Sequence, residues 1–453
     1  MDLSAMDIYE LLPQTNCGKC GHPTCLAFAM QLANKQIELD ECPDVSEEAK
    51  QELASASAPP IKEVVLSRGE REVPLGMETV MYRHEETFHN QPGIGGILSD
   101  TLTEDELEDK LEVYNDLTYE RIGEIIEFEL IGIRGDSEDP EQFAQCVGSV
   151  LEASDRIPVL LSEDPEMIEK AFSENAELKE ERPLIYAATS DNYKEMASLA
   201  EEYDVPLAVK GENLDELAEL TPEISDMGAE DLILDPGARD PLTGVQEQTQ
   251  IRRQALEKTF RPLGYPTIAF AENDDPHEVL MEACTYVSKY AGVILLEDAQ
   301  RWQALPVTVL RQNIYTDPRV PPTVEAKVFE VGEDHDENSP VLMTTNFALT
   351  YFTVASEVET SRVPSYILTV DTEGQSVLTA YSSENLTAEA AADALEESGL
   401  AEELAHKEVI IPGHVAVMSG SLEVESGWDV VVGPREASGI PNFLRDYSPN
   451  SDD

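Results

Sequence analysis

Residues 126–161 read IEFELIGIRGDSEDPEQFAQCVGSVLEASDRIPVLL, and this stretch decides the fold class. Ile126 to Ile133, apolar but for Glu127 and Glu129, and the apolar run Pro158 to Leu161 are of strand length. The intervening PEQFAQCVGSVLEA places its apolar side chains at helical spacing. Two apolar strands joined by an amphipathic helix predict a parallel β/α unit rather than a hairpin. Working outward, the pattern recurs. Further candidate strands are Thr79 to Arg83, Leu184 to Ala187, Leu207 to Val209, Leu232 to Leu234, Thr267 to Phe270 and Val293 to Leu296, and helical stretches such as NYKEMASLAEEY and DPHEVLMEACTYVSKY lie between strands. Eight such units over residues 77–311 predict an α/β domain closed as a (β/α)8 TIM barrel; an open doubly wound sheet is the alternative.

On the C-terminal side, residues 312–340 are proline-rich and acidic and read as a linker. Beyond it, residues 341–453 carry strands at Val341 to Met343, Tyr366 to Val370, Val409 to Ile411 and Asp429 to Val432, which predict a small Rossmann-like sheet. Each strand runs into a polar or glycine-containing turn: Thr344, Thr345 and Asn346; Asp371, Thr372, Glu373 and Gly374; Pro412 and Gly413; Gly433, Pro434, Arg435 and Glu436. Parallel strands would bring these turns to one edge, where open α/β sheets bind ligands. The absence of G-x-G-x-x-G after the first strand argues against a dinucleotide.

On the N-terminal side, residues 1–58 form a separate small module with a short helix through Glu47 to Leu53, and residues 59–76 follow as a linker after ASASAPP, with a hinge expected between Leu53 and Gly76. The module holds four of the six cysteines, Cys17, Cys20, Cys25 and Cys42, spaced C-x2-C-x4-C-x16-C. Four thiolates suit a 4Fe-4S cluster, and Gly18 and Gly21 let the backbone approach inorganic sulfur. A four-cysteine zinc site is the rival. Cys146 and Cys284 stand alone on helical patterns, so a disulfide is not expected.

The 453 residues carry 92 Asp and Glu against 30 Lys and Arg, a formal charge of −62, yet 41% are hydrophobic and patterned. Patterning excludes disorder, and the missing basic footprint excludes nucleic-acid binding. No apolar run reaches membrane-span length, and nothing at the start reads as a signal peptide, so a cytoplasmic protein is expected. Acidic residues spread along the whole chain suit a folded protein in concentrated salt, the composition of a halophile, and an archaeal one is expected.

The segments LLPQTNCGKCGHPTCLAFAMQLA, ETVMYRHEETF, TTNFALTYF, DTEGQSVLTA, IPGHVAVMSG and GPREASGIP closely resemble the large (gamma) subunits of corrinoid iron-sulfur proteins of the acetyl-CoA decarbonylase/synthase system, over essentially the whole length. The resemblance implies a 4Fe-4S module, a TIM barrel and a Rossmann-like corrinoid domain. It implies a methyl carrier: Co(I) takes the methyl group of a methyl-tetrahydropterin or methyl-tetrahydrofolate, and methyl-Co(III) delivers it to the nickel site of acetyl-CoA synthase. The cluster on Cys17, Cys20, Cys25 and Cys42 would return the electron lost when cobalt oxidises to Co(II), drawing on a ferredoxin-like reductant. The implied partners are a small subunit, forming a heterodimer, a methyltransferase activity and acetyl-CoA synthase. Corrinoid contacts carried over by motif are Thr345, Asn346 and Thr350, Asp371, Thr372, Glu373 and Gly374, Ser376, and Gly433, Pro434, Arg435, Glu436 and Ala437.

No D-x-H-x-x-G run offers cobalt a histidine, and EDHDENSP around His335 lacks the glycine, so a base-off corrinoid is expected. His414 lies in a candidate loop and reads as solvent-facing. His84 and His89 read as barrel framework, Tyr351 and Phe352 as core, and Asp235, Pro236 and Gly237 as a structural or subunit-facing strand end. Two other functions fit parts of the pattern: a 4Fe-4S electron-transfer or scaffold protein without corrinoid, and a corrinoid subunit for another methyl donor such as a methylated amine or aryl ether.

Overall fold

A computed structural model describes residues 5–33, 37, 41–46 and 59–447. It divides into two compact units, residues 1–119 with 126–316, and residues 120–125 with 317–453. The helix expected through Glu47 to Leu53 lies outside the described residues.

In the first unit, β1 (Val64–Arg68) and β2 (Arg71–Leu75) form an antiparallel hairpin. A separate two-stranded sheet is made by β4 (Thr118–Arg121) and β5 (Glu124–Glu127). The strands β3 (Gly93–Ser99), β6 (Leu130–Arg134), β7 (Ile157–Leu161), β8 (Leu184–Ala188), β9 (Leu207–Lys210), β10 (Leu232–Asp235), β11 (Ile268–Ala271) and β12 (Val293–Glu297) form one parallel sheet in the order β10-β9-β8-β7-β6-β3-β12-β11. A bridge between Leu234 and Thr267, with Leu234 N–H donating to Pro266 O at 2.8 Å, brings its two ends together. The sheet is therefore a nearly closed eight-stranded barrel, and the open doubly wound alternative fails. Four barrel helices begin with Asp-Pro: Asp139, Asp164, Asp240 and Asp275 cap free N–H groups, and the proline that follows loses no hydrogen bond in the first turn.

Two expectations need correction here. Thr79 to Arg83 is not a strand: the Val80 carbonyl accepts from Arg252, whose guanidinium also pairs with buried Glu78 at 2.7 Å and lies over the Phe88 and Tyr290 rings. The first barrel strand is instead Gly93–Ser99. Its glycines are required by close approach, since a Cβ on Gly95 would stand 2.6 Å from Leu130 O and one on Gly96 would stand 2.5 Å from the Tyr114 ring. Nor are residues 59–76 a linker. Val64, Leu66, Val73 and Leu75 join Ile97, Ile157, Val159 and Val293 in the barrel interior, Ser67 bridges to Arg182 ahead of β8, and Lys62 N–H donates to Gly264 O at 2.8 Å. The hairpin plugs the N-terminal end of the barrel, so a hinge cannot extend to Gly76.

At that end Arg156, almost fully buried, pairs with Glu127, which also accepts from Arg71. Burial pushes the Glu127 carboxyl up, but the hydrogen bonds and charges of Arg156 and Arg71 outweigh it and hold it below the usual carboxylate range. A depressed carboxylate stabilises the fold above the unfolded value of about 4.3, and that stabilisation is lost as pH falls through the folded value. Glu127→Gln is thus expected to cost about 2 kcal/mol at neutral pH, with the difference from the parent shrinking in acid. Denaturant melts across that range check it, and a gap independent of pH would exclude the ion pair as its source.

In the second unit, β13 (Val328–Val331), β14 (Val341–Thr345), β15 (Ser365–Val370), β16 (Glu408–Ile411) and β17 (Asp429–Val432) order as β13-β15-β14-β16-β17. All pairings are parallel except that of β13 with β15. Residues 312–340 are therefore no simple linker: they hold the end of the barrel helix Arg301–Tyr315 and this antiparallel edge strand. Alternation along the strands feeds two cores. Val341, Met343, Leu368 and Val409 pack with Ala391, Leu395 and Leu422 on one face; Leu342, Ile367 and Ile410 pack with Tyr351, Val358 and Leu444 on the other. Helices thus cover both faces, and Tyr351 is core as expected.

The formal charge of −62 makes the whole molecule self-repelling. Its melting temperature is expected to rise between dilute buffer and about 1 M KCl, where the screening length falls to roughly 3 Å. A melting temperature that is flat or falls with salt would remove the halophilic reading.

Candidate cofactor sites

The cysteine module is built on helices Ala5–Leu11 and Cys25–Ala33. Gly18 and Gly21 adopt left-handed backbone at φ +72° and +80°, which turns the loop between Cys17 and Cys25 tightly enough for Gly21 N–H to bond Gly18 O at 3.1 Å. Asn16 Oδ1 accepts from Cys25 N–H at 2.8 Å and fixes the third cysteine at the helix start. Cys25 and Cys42 are buried among Ile8, Leu12, Phe28, Ala29 and Val45; Cys20 is half-buried and Cys17 exposed. Burial pushes the Cys42 thiol up, and the charges of Cys20, Cys25 and Cys17 push the same way. Cys20 packs against the same small core, and Cys17 Sγ approaches Asp44, two residues beyond Cys42, so the four thiols are gathered around one core. That donor set fits an iron-sulfur cluster, with two ligands inside the small core and two toward solvent. Among the described residues no three His, Cys, Asp or Glu side chains are arranged to hold a single metal ion. Asp44 accepts from Cys17 Sγ at 3.5 Å and from Lys19 Nζ at 2.8 Å.

In the second unit the chain leaves β14 toward β15 on one side and later returns to β16 on the other. The switch point between them, at the carboxyl ends of the strands, opens an apolar cavity of about 260 Å3. Of the residues expected to bind there, Thr350, Ser376, Pro434, Arg435 and Ala437 line it. Thr345, Asn346, Asp371, Thr372, Glu373, Gly374, Gly433 and Glu436 do not. Asn346 instead organises the next loop: its Oδ1 accepts from Thr372 N–H at 3.0 Å, Thr372 Oγ1 at 3.1 Å and Gly374 N–H at 3.2 Å, and its amide donates to Asp371 at 3.0 Å. Gly374, at φ +72°, has Pro321 and Thr323 side-chain carbons 2.8 Å from where a Cβ would lie. Thr344 lines the cavity, and its buried hydroxyl has no hydrogen-bond partner; the Thr345 hydroxyl, also buried, has none either. His414, exposed as expected, stands at the cavity edge. An apolar slot with one orphaned hydroxyl inside and Ser376, Arg435 and His414 around it fits the partial burial of a large amphiphilic cofactor.

Residues 63–444 match the sequence family described as CO dehydrogenase/acetyl-CoA synthase delta subunit, and residues 12–43 match one described as "Putative Fe-S cluster". The corrinoid/iron-sulfur protein large subunit of Moorella thermoacetica is 45% identical over 445 residues, covering 98% of this chain and 99% of that one. The chain belongs to the corrinoid/iron-sulfur large-subunit family. The acetyl-CoA decarbonylase/synthase gamma subunit of Methanopyrus kandleri, another member, is 37% identical over 98% of this chain and 97% of its own. Among solved structures, a Xanthomonas albilineans dihydropteroate synthase overlaps 57% of this chain and 100% of its own at 14% identity, with a TM-score of 0.39.

At the barrel mouth of this large-subunit family member, charged side chains pair with one another. Asp235, 1% exposed, accepts from Tyr186 at 2.7 Å and from Arg239 at 2.9 Å; Arg239 lies over the Phe270 ring, and Arg134 pairs with Glu272 at 2.5 Å. Tyr186, Arg239, Arg134 and Glu272, which take part in these contacts, line an open recess of about 820 Å3. What sequence reasoning missed in the large-subunit site is its apolar wall: Leu342, Val354, Val377, Leu378, Ile410 and Ile440. Leu378, half exposed at the start of a helix, was the available signal.

Proposed function

We propose that the chain is a methyl carrier, holding a corrinoid over the cavity at the β14/β16 switch point and a 4Fe-4S cluster on Cys17, Cys20, Cys25 and Cys42. The bound cofactors would supply a cobalt centre that accepts a methyl group from methyl-tetrahydropterin or methyl-tetrahydrofolate and yields it to the nickel site of acetyl-CoA synthase, and a low-potential electron source that reactivates it. The observation that carries this reading is the cavity itself, apolar, with the unpaired Thr344 hydroxyl inside, in a chain of this family. Leu342, Val354, Ile410 and Ile440 would exclude water from the buried part of the ligand, and Thr344, Thr350 and Ser376 would supply hydrogen bonds. At about 260 Å3 the cavity is smaller than sites that enclose a drug-sized ligand, so most of a corrinoid macrocycle lies outside it. That exposed part requires a cover, the role we assign to the smaller subunit of a heterodimer. Asn346 would act indirectly, by holding the 371–374 loop beside the site.

The test is metal content with visible and EPR spectra, on protein prepared anaerobically in high salt with its small subunit. About four irons and one cobalt per heterodimer, with a Co(II) signal free of nitrogen splitting, are expected. Iron without cobalt would replace this reading with electron transfer; zinc without iron would overturn the cluster.

A further inference from the structure

Lys19 is the only Lys or Arg among the described residues of the cysteine module, against Asp7, Glu10, Glu41 and Asp44. It lies between two cluster ligands in sequence, inside the tight Gly18–Gly21 turn. Its ammonium is held 2.8 Å from both Asp44 oxygens and stands within electrostatic reach of Cys17 and Cys42. Asp44 follows Cys42 by two residues and also contacts Cys17 Sγ at 3.5 Å. The pair thus ties the loop carrying the first two cysteines to the segment carrying the fourth.

We propose that Lys19 is a positioning residue that sets the reduction equilibrium of the cluster by offsetting the charge of the Asp44 carboxylate, which stands 3.5 Å from Cys17 Sγ. The inference rests on the 4Fe-4S reading above. Reduction adds one electron to a site already crowded with thiolate charge. Without the Lys19 ammonium the Asp44 carboxylate beside Cys17 would be uncompensated and would repel the added electron, and cluster potentials respond to net charge, hydrogen bonds to sulfur and exposure. Asp44 keeps the flexible, half-exposed lysine in place, so its charge is not averaged into solvent.

The experiment is an EPR-monitored redox titration of the full chain, with iron and sulfide content, for the parent, Lys19→Gln and Lys19→Arg. Lys19→Gln is expected to disfavour the reduced cluster threefold to tenfold, a potential lower by up to about 59 mV for a one-electron couple. Lys19→Arg, which keeps the charge, is expected to restore most of the parent value. A Lys19→Gln protein with full iron and an unchanged potential would overturn the proposal. So would one that loses iron to a chelator faster yet keeps its potential, because that is the behaviour of a purely mechanical clamp. A parent chain without iron and sulfide would instead sink the cluster reading on which the inference stands.

Discussion

Cys42→Ser is expected to strip the chain of nearly all its iron, from about four atoms to well under one, and to expose the module to proteolysis while the barrel stays folded. Cys42 is 4% exposed and packs with Cys25, Phe28 and Val45 in a core to which seven of the described residues contribute. A core this small supports little independent stability, so cluster binding and folding of the module should be one event. Serine removes a ligand and leaves a hydroxyl in an apolar setting. Cys146→Ser is the control: Cys146 is also buried, its thiol pushed up to about 12 by burial, but it sits in the barrel core far along the chain from the other four. The measurement is iron and labile sulfide per chain for both variants. Full iron in Cys42→Ser, or iron lost from Cys146→Ser with an intact fold, would mean that the ligand set is wrong.

Legibility of the fold followed how each element earns its stability. Barrel strands such as Pro158 to Leu161 and Val293 to Leu296 are buried on both faces and read as apolar runs. The strand Gly93–Ser99 is buried equally well, but neighbouring backbone and the Tyr114 ring leave no room for side chains at Gly95 and Gly96, and glycine hides a strand from pattern reading. Thr79 to Arg83 has strand-like residues, yet its partner is the Arg252 side chain, a tertiary contact that no local window contains. The hairpin Val64 to Leu75 and the edge strand Val328–Val331 fell in stretches read as linkers because prolines and charges flank them; only packing against the barrel floor or a sheet edge makes them strands.

The same logic divides the second site. Its loops were legible because a polar or glycine turn after every parallel strand must gather at one edge. Which of those side chains reach the cavity was not. Three successive residues, Leu342, Met343 and Thr344, line the cavity while Thr345 does not, so strand alternation does not decide it, and an asparagine that makes four hydrogen bonds to Asp371, Thr372 and Gly374 looks in sequence like a ligand contact.

Gly413→Ala is expected to lower cobalt retention at least tenfold without unfolding the chain. A Cβ at this position would stand 2.6 Å from Gly433 O and 2.9 Å from both Arg435 N and Pro434 C, while Gly413 N–H bonds Pro434 O at 3.0 Å. All of these are backbone atoms, so no side chain can rotate away. The 433–435 loop must shift instead, carrying Pro434 and Arg435 out of the cavity wall. Such overpacking costs about 1–3 kcal/mol, modest for a chain of this size but decisive for a site that depends on placement. Gly420→Ala supplies the comparison. That glycine lies in the helix Ser419–Ser426 with nothing within 4 Å of its would-be Cβ, so alanine there should be neutral or stabilise by up to about 1 kcal/mol, with cobalt unchanged. Cobalt per chain after desalting, with thermal melts of both variants, separates the cases. If Gly413→Ala keeps its cobalt at the parent level, the corrinoid does not rest on this edge of the sheet, and the assignment must move to another part of the chain.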